Sequence, residues 1–193
     1  MTACPATTPE AVASAEQATA TLLLAMESAS WFAAVAAPPT PGEEAELAAY
    51  LEASGQAPRR VHWVAGWDEA RRLLLGADWD HASWQSAQDE RDRLMAELKQ
   101  ALGEQETMRI LTRVTDLAAR LLHGPAAVAA ARDRVADPGL VRVAAGSAAE
   151  ACYHMALVRL AGAGEDHAFA CRFRLFEAGR WPLVAVGGTY CIF

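Results

Sequence analysis

The chain has 193 residues, of which 53% are hydrophobic, 21% charged and 7% aromatic. Much of the hydrophobic fraction is alanine, which adds helix propensity and little burial free energy. The composition therefore indicates a helical globular protein and excludes a membrane bundle or a disordered chain. The net charge of −7 excludes a basic nucleic-acid-binding surface. A chain of this length is typical of one domain, and we interpret residues 1–193 as a single domain.

The charge imbalance lies in the first 58 residues. No lysine or arginine precedes Arg59, whereas seven acids do: Glu10, Glu16, Glu27, Glu43, Glu44, Glu46 and Glu52. The 17 acids that follow balance the 17 bases of the chain. We expect these glutamates to form an exposed acidic face, and the alternative is that this face is a docking surface for a basic partner protein.

No targeting segment is predicted. The most apolar run, residues 18–37, is interrupted by Glu27 and by hydroxyl residues and has no flanking basic residue, so it resembles neither a signal peptide nor a membrane span. The cysteines lack a Cys-x-x-Cys spacing and are expected to be free thiols at positions 4, 152, 171 and 191. We therefore expect a cytoplasmic protein. The single lysine, Lys99, and the many alanines suggest a GC-rich bacterial genome.

Capping residues predict the first two helices. Thr8 followed by Pro9 predicts a helix start, and this helix is expected to run to about Ala37. The prolines of residues 38–41 then form a stiff connector. A capping box between Thr40 and Glu43 begins the second helix, which is expected to end at Gly55.

The next segment predicts one strand and two helices. Residues 59–64 have the alternation of a short strand. A short helix begins at Trp67 with acids in its first turn and ends at Gly76. Asp80 is expected to cap a long helix over residues 81–102, which Gly103 ends.

Three further helices are predicted before residue 163. One begins at Glu104 and is expected to end at the Gly124-Pro125 pair, and a shorter one covers about residues 126–135. The Asp137-Pro138 pair is expected to begin a new segment after this helix. A second capping box, from Ser147 to Glu150, predicts a helix that reaches Leu160.

The C-terminal segment has a different pattern. Residues 167–176 and 181–193 are aromatic and β-branched, and residues 177–180 separate them, so we predict a β-hairpin over residues 167–193. The fold class is therefore mainly α (α+β): five to seven helices over about residues 8–163, with the hairpin packed on them. The strand at residues 59–64 is a candidate third strand.

The sequence contains no motif that would identify a catalytic or metal site. The chain lacks a nucleophile elbow, a P-loop and a dinucleotide fingerprint, and no two of its five histidines have His-x-x-x-His spacing. We therefore name no catalytic, cofactor-binding or metal residue, expect no cofactor, and leave enzymatic activity undecided with a leaning against it.

Two groups of residues are candidates for an interface or a pocket. The first is a cluster of four tryptophans, Trp63, Trp67, Trp79 and Trp84. Such a cluster fits either core filling in an alanine-rich protein or a binding surface. The second is His154 on a predicted helix together with the string around Glu177 and Arg180, which is otherwise explained as packed residues and a hairpin loop. The candidates are Trp63, Trp67, Trp79, Trp84, His154, Glu177, Arg180 and Trp181.

The leading functional hypothesis is a non-enzymatic cytoplasmic accessory, scaffold or immunity-type protein that acts by protein–protein binding. The expected partner is another protein, which could be basic, or a second copy of the chain. Nucleic acid and membrane are not expected as partners. The alternative is a small-molecule-binding protein or an enzyme, with its site between the helices and the C-terminal hairpin. An exposed apolar patch would favour the first hypothesis, and a cavity with convergent polar groups would favour the second.

Overall fold

The computed structural model describes residues 8–56, 59–76 and 80–193, which form a mainly helical fold with a small sheet at the C-terminal end. The predicted fold class is confirmed. The helices are α1 (Pro9–Ser28), α2 (Pro41–Ala53), α3 (Trp67–Leu75), α4 (His81–Leu102), α5 (Glu104–Leu121), α6 (His123–Arg132), α7 (Pro138–Ala161) and α8 (Ala168–Glu177). The strands are β1 (Arg60–Trp63), β2 (Pro182–Val186) and β3 (Thr189–Ile192).

The predicted helix starts are confirmed at the caps. Thr8 accepts a hydrogen bond from the Ala11 amide at the start of α1, and Thr40 and Glu43 form the capping box of α2. Asp80 caps α4 as predicted. These contacts satisfy amides that have no partner inside the helix, which is why short local patterns located them. Asp137 caps α7, a helix start that was not predicted.

Helix α7 is the central element of the fold. It packs against α1, α4, α5, α6 and α8. In its C-terminal half buried residues occur on all sides and include Cys152, Met155 and Leu157, whereas Val143 and Gly146 in its N-terminal half are exposed. Since a helix that is apolar all round is stable only inside a protein, α7 provides the surface on which the other helices lie.

The structure differs from two expectations, one in α7 and one in α6. Helix α7 runs without interruption from Pro138 to Ala161, so the second capping box at Ser147 and Glu150 does not exist. Burial of Ala144 and Ala148 holds the helix together through this segment, and tertiary packing overrides the local start signal. The Gly124-Pro125 pair, expected to end a helix, lies in the first turn of α6, where proline is tolerated.

Helix α1 is shorter than expected. It ends at Ser28 and not near Ala37, and residues 31–36 form turns in which Phe32 and Ala36 have positive φ angles of 59° and 63°. Backbone hydrogen bonds tie this turn segment to the distant residues 177–179: the Ser30 amide donates to the Glu177 carbonyl (3.0 Å) and the Ala34 amide to the Gly179 carbonyl (3.1 Å). A contact so distant in sequence leaves no local signal.

The prediction of a hairpin over residues 167–193 is wrong in its first half. Residues 168–177 form helix α8 and not a strand. The alternating residues Phe169, Cys171, Phe173 and Leu175 are buried, but so are Ala170 and Phe176, because α8 packs against both α2 and α7. A helix that is covered on two sides has no continuous polar stripe. Its sequence is therefore compatible with the periodicity of a helix and with that of a strand.

The hairpin instead lies wholly within residues 182–192. Strands β2 and β3 are antiparallel and are joined by Gly187 and Gly188, which have φ angles of 53° and 80°. A two-residue Gly-Gly loop is a strong hairpin signal that the sequence interpretation missed. Strand β1 pairs in parallel with β3, from Arg60 opposite Thr189 to Trp63 opposite Ile192, so the expected third strand is confirmed and the order is β1-β3-β2.

The expected acidic face is only partly present. Glu16 forms ion pairs with Arg109 and Arg113, Glu46 pairs with Arg174, and Glu43 pairs with Arg180. These three glutamates are therefore bound to arginines from the second half of the chain and do not form a free surface. The remaining exposed acids of the segment are Glu10, Glu27, Glu44 and Glu52.

Candidate functional site

A cleft of about 700 Å³ lies between α2, α4 and α8. Helix α2 packs on α8 and α4 packs on α7, so α2 and α4 flank a channel with the N-terminal part of α8 as its floor. The wall from α4 extends from Ser83 to Arg93, which corresponds to about 15 Å along the helix axis. Its polar lining residues are Tyr50, Ser54, Gln56, Ser83, Ser86, Asp89, Glu90, Arg93, Asp166, His167 and Arg172.

One end of the cleft is closed by Glu90, Arg93 and His167. Arg93 makes a bidentate contact to Glu90 at 2.8 and 2.6 Å, and His167 Nε2 lies 2.8 Å from the Glu90 carboxylate. The hydrogen bonds from Arg93, supported by His167 and opposed by burial, lower the pKa of Glu90 to about 2. Glu90 is therefore an anion that holds two groups of the protein in place.

His167 is also the N-cap of α8. Its Nδ1 accepts a hydrogen bond from the Phe169 amide at 3.1 Å, which assigns the ring proton of the neutral imidazole to Nε2, the nitrogen that contacts Glu90. Both ring nitrogens are then engaged inside the protein. His167 fixes the start of α8, and with it the position of the cleft floor.

Arg172 lies in that floor, and its side chain is 17% exposed. Its Nη1 donates to Glu150 of α7 at 2.9 Å, and Glu150 is the one acceptor that the described residues offer to this guanidinium. Burial, the largest single influence, acts to lower the pKa of Arg172, but Glu150 together with Tyr50 and Tyr190 outweighs it and the pKa is raised. A guanidinium has five N–H donors, so Arg172 is a cation with donors left for another acceptor.

His154 lies behind the floor and does not line the cleft. Its ring stacks on Phe169 with centroids 4.0 Å apart and planes 13° apart, and its Nδ1 is buried with no hydrogen-bond partner. Burial, aided by the positive charge of Arg172, lowers the pKa of His154 to about 4, so the imidazole is neutral at physiological pH. His154 therefore positions Phe169, an aromatic wall of the cleft.

A second ion pair lies beside the lining residue Ser83. Arg59 binds Asp80 and also donates to Ser83 at 3.3 Å, and Asp80 accepts from the Ser83 hydroxyl at 2.8 Å. The sheet reaches this region indirectly, because Tyr190 of β3 packs edge-on against Tyr50 with centroids 5.5 Å apart. The Oε1 atom of Gln56, a lining residue, is buried and has no partner among the described residues.

The structure does not bring the predicted tryptophans together in one site. Trp67 and Trp181 are buried in the core, 5.6 Å apart between ring centroids, and Phe193 packs edge-on against Trp67. Trp63 is half-buried on β1, and Trp84 is 51% exposed on α4. Trp79 lies outside the described residues.

Glu177 and Arg180 also lie outside the cleft. Glu177 is the last residue of α8, and burial raises its pKa. Arg180 is not presented on a loop: its side chain is 2% exposed, and Glu43 and three backbone carbonyls accept its hydrogen bonds. It is therefore not accessible to a ligand.

A second depression, which we call the α3–α7 groove, has a volume of about 520 Å³. Its apolar lining includes Leu75 and Val143, which are 73% and 47% exposed. The residues that define the groove are Arg71, Leu74, Leu75, Asp137, Gly139, Leu140, Arg142 and Val143.

Neither known motifs nor known proteins identify the site. A scan against protein-family models, a search of curated proteins and a search of solved structures each find no match to this chain. Within residues 8–56, 59–76 and 80–193, no helix is long and apolar enough to cross a membrane. The same residues contain no group of three or more potential ligands arranged to hold a metal ion.

Sequence reasoning missed the residues of the cleft. Arg172 falls in the predicted first half of the hairpin and Glu90 in the predicted helix over residues 81–102, and neither was a candidate site residue. Their partners Glu150 and His167 lie 22 and 77 residues away. The available signal was the pair of charged residues, Arg172 and Arg174, inside an otherwise apolar segment, since a buried charge usually has a partner.

Proposed function

We propose that this protein acts by binding, without catalysis, and that the cleft between α2, α4 and α8 takes up a small organic carboxylate. The observation that carries this proposal is the position of Arg172. Its guanidinium lies in the cleft floor, little exposed, with Glu150 as its one acceptor among the described residues. Such a cation offers paired N–H donors to a carboxylate, which makes charge-assisted hydrogen bonds stronger than neutral ones.

The rest of the cleft supports a small organic ligand. Its volume of about 700 Å³ lies within the range of small-molecule sites, which is roughly 300–1,000 Å³. Phe169, which is 5% exposed, contributes an apolar part of the lining, and Tyr50, Ser54 and Ser86 supply hydroxyl groups. We therefore expect the ligand to combine a carboxylate with an apolar or aromatic portion.

The histidines near the cleft favour binding over catalysis. A histidine acts as a general base only through a ring nitrogen with a free lone pair within reach of the substrate. Both nitrogens of His167 contact the protein, and His154 lies behind Phe169. The lining residue Ser83 is hydrogen-bonded to Asp80 and Arg59.

A cytoplasmic location is part of this proposal. Cys152, Cys171 and Cys191 are buried free thiols, and Cys4 lies outside the described residues. Burial raises the pKa of Cys152 to about 12, so this thiol is a packing residue and not a nucleophile. Buried free thiols are typical of proteins from a reducing compartment.

A second candidate function is protein–protein binding, as an accessory, scaffold or immunity-type protein. The α3–α7 groove favours it, because Leu75 and Val143 are exposed next to each other in one depression. The exposed glutamates that lack an arginine partner are compatible with a basic partner on another face, and a second copy of the chain is a further option.

The test uses benzoate as the probe and benzamide as its neutral match, each titrated into the ¹⁵N-labelled full chain by NMR. Benzoate is expected to shift the amides of Ala168, Phe169 and Arg172, and benzamide to shift them much less. Arg172→Lys is expected to weaken benzoate binding about tenfold, because lysine lacks the planar fork. Arg174→Lys is the matched control, since Arg174 lies on the same helix and pairs with Glu46 outside the cleft.

Three outcomes would contradict the proposal. Equal shifts with benzoate and benzamide would show that the carboxylate is not recognised. Shifts confined to amides away from the cleft would place binding elsewhere. Equal weakening by Arg172→Lys and by Arg174→Lys would show a general effect of charge and not a contact with Arg172.

A further inference from the structure

The face of α7 beside the α3–α7 groove contains the half-buried Gly139 and the exposed Gly146. A Cβ atom at Gly139 would lie 3.1 Å from Asp137 Oδ1, so the helix cap explains glycine at that position. Gly139, Val143 and Gly146 are spaced by four and three residues, so they lie on one face of the helix. Glycine in a helix interior is unfavourable relative to alanine. A Cβ atom at Gly146 would meet nothing within 4 Å, so neither the fold nor the local backbone requires glycine there.

A helix surface without side chains allows a second helix to approach closely. The distance between two packed helices depends on the size of the side chains at their contact. Leu75 and Val143 are exposed apolar residues next to this surface. The groove therefore fits the apolar face of an amphipathic helix, and the exposed Gly146, one turn beyond Val143 on the same face of α7, leaves room for its backbone.

The charged residues at the groove are net positive in a chain whose net charge is −7. Arg142 is exposed and has no ion pair with the described residues. Arg71 contacts Asp137 through Nε at 3.1 Å, but its side chain is 57% exposed. Complementary charge at a rim promotes association and selects among partners, so this rim favours an acidic partner.

We propose that the α3–α7 groove binds an acidic amphipathic helix of a partner protein. Its apolar side chains contact Leu75 and Val143, and its carboxylates lie against Arg71 and Arg142. This inference rests on the second candidate function and gives that function a site and a partner chemistry. It is independent of the cleft and its ligand.

The probe is a fluorescein-labelled 14-residue helical peptide with leucines spaced three and four residues apart and glutamates on its other face. The matched peptide has lysine in place of every glutamate. Binding of each peptide to the full chain is measured by fluorescence anisotropy. The acidic peptide is expected to bind at least about tenfold more tightly, and this difference is expected to shrink with added salt.

Substitutions locate the binding surface. Val143→Ser is expected to weaken acidic-peptide binding about tenfold, as for a contact at the centre of an interface. Val128→Ser is the matched control, because Val128 is 71% exposed on α6 and does not line the groove. Arg142→Glu is expected to weaken the acidic peptide and to strengthen the basic one.

Gly146→Ala separates a binding role from a structural one. Because the added methyl group has free space and alanine favours a helix, the melting temperature is expected to rise by about 2–4 °C. The same substitution is expected to weaken the acidic peptide, because the methyl group keeps the two helices apart. A structural role alone would give the first effect without the second.

The following results would overturn the proposal. Failure of the acidic peptide to bind, or equal weakening by Val143→Ser and Val128→Ser, would remove the groove as its site. If the basic peptide bound more tightly and Val143→Ser weakened it, the groove would be an interaction surface but its partner would not be acidic, which overturns the proposal. A concentration-dependent dimer that Val143→Ser abolishes would identify a second copy as the occupant. None of these results affects benzoate binding at Arg172, which tests the cleft.

Discussion

Arg180 and Glu43, 137 residues apart in the chain, form a bidentate ion pair inside the protein, with Nε–Oε1 and Nη2–Oε2 distances of 2.8 and 3.0 Å. The same guanidinium donates to the carbonyls of Ala34, Ala37 and Pro38 and lies 5.2 Å from the centre of the Trp63 ring. Each of its five donors therefore has an acceptor. Arg180 connects the turn segment after α1, the start of α2 and strand β1.

Removing the Arg180 side chain is expected to destabilise the protein strongly. Arg180→Ala leaves Glu43 and three carbonyls without their donor, and loss of one partner of a buried pair costs about 3–5 kcal/mol. Arg180→Lys is expected to cost less, because it keeps the charge but cannot reach all the acceptors. The free energy of unfolding in urea measures both effects.

The matched control for this prediction is Lys99→Ala. Lys99 forms an exposed ion pair with Glu104, and such pairs contribute little to stability. The free energy of unfolding of this variant is expected to stay almost unchanged. A similar loss in Lys99→Ala and Arg180→Ala would show that burial of the pair does not determine its contribution.

The same ion pair predicts a dependence of stability on pH. The hydrogen bonds from Arg180, supported by Thr40 and opposed by burial, lower the pKa of Glu43 from 4.5 to about 2 in the folded protein. Because the folded pKa is the lower one, this contribution is fully present above pH 4.5 and is lost as the pH falls to about 2. A shift of this size corresponds to roughly 3 kcal/mol.

This dependence is measured by comparing the wild type with Glu43→Gln in urea at several pH values. The difference in free energy of unfolding between the two is expected to be constant from pH 7 to about pH 5 and to shrink towards pH 2. A difference that stays constant down to pH 2 would mean that Glu43 titrates normally in the folded protein.

Gly179 is expected to tolerate no side chain. It has a φ angle of 91°, and a Cβ atom would lie 2.8 Å from the Ala34 nitrogen and 2.9 Å from the Ser30 oxygen, which are both backbone atoms. Gly179→Ala therefore combines backbone strain with a clash against the turn segment after α1. We expect it to cost well above the roughly 1–2 kcal/mol of the left-handed conformation alone.

Gly162 provides the comparison for Gly179. It ends α7 with a φ angle of 67°, and a Cβ atom there would have no neighbour within 4 Å. Gly162→Ala is expected to lower the free energy of unfolding by about 1–2 kcal/mol, which is the effect of the left-handed backbone conformation alone. Equal melting temperatures of the two variants would disprove the clash at Gly179.

The C-terminal strand is expected to be essential for the fold. Strand β3 lies between β1 and β2, and Ile192 and Phe193 are almost completely buried. Phe193 exchanges two backbone hydrogen bonds with Trp181, and its ring contacts Trp67. Deleting residues 190–193 removes the pairing of both neighbouring strands and is expected to give insoluble protein or a melting temperature lower by many degrees.

A smaller change at the same place keeps this prediction measurable. Phe193→Ala is expected to lower the free energy of unfolding by about 3–5 kcal/mol. Phe193→Leu is expected to lower it clearly less, because leucine fills most of the volume of the phenylalanine side chain. Both are compared by thermal unfolding. An unchanged melting temperature in Phe193→Ala would mean that the terminal residue does not contribute to the core.

The sequence by itself determined the features that depend on neighbouring residues. The caps at Thr8, Thr40 and Asp80 and the breaks at Gly76 and Gly103 follow from hydrogen bonds within a few positions, and the structure has helix ends at each of them. The Gly187-Gly188 loop was equally local, and a stricter use of turn rules would have located it.

Only the tertiary structure decided the features that depend on residues distant in the chain. Residues 168–177 form a helix because α2 and α7 cover two sides of it, and α1 ends early because Gly179 and Arg180 bind the segment that follows. The cleft arises in the same way, since Arg172 meets Glu150, and His167 meets Glu90, only after α4, α7 and α8 have packed. Periodicity records which residues are buried, whereas the partner of a buried charge is set by the packing of helices that no local pattern encodes.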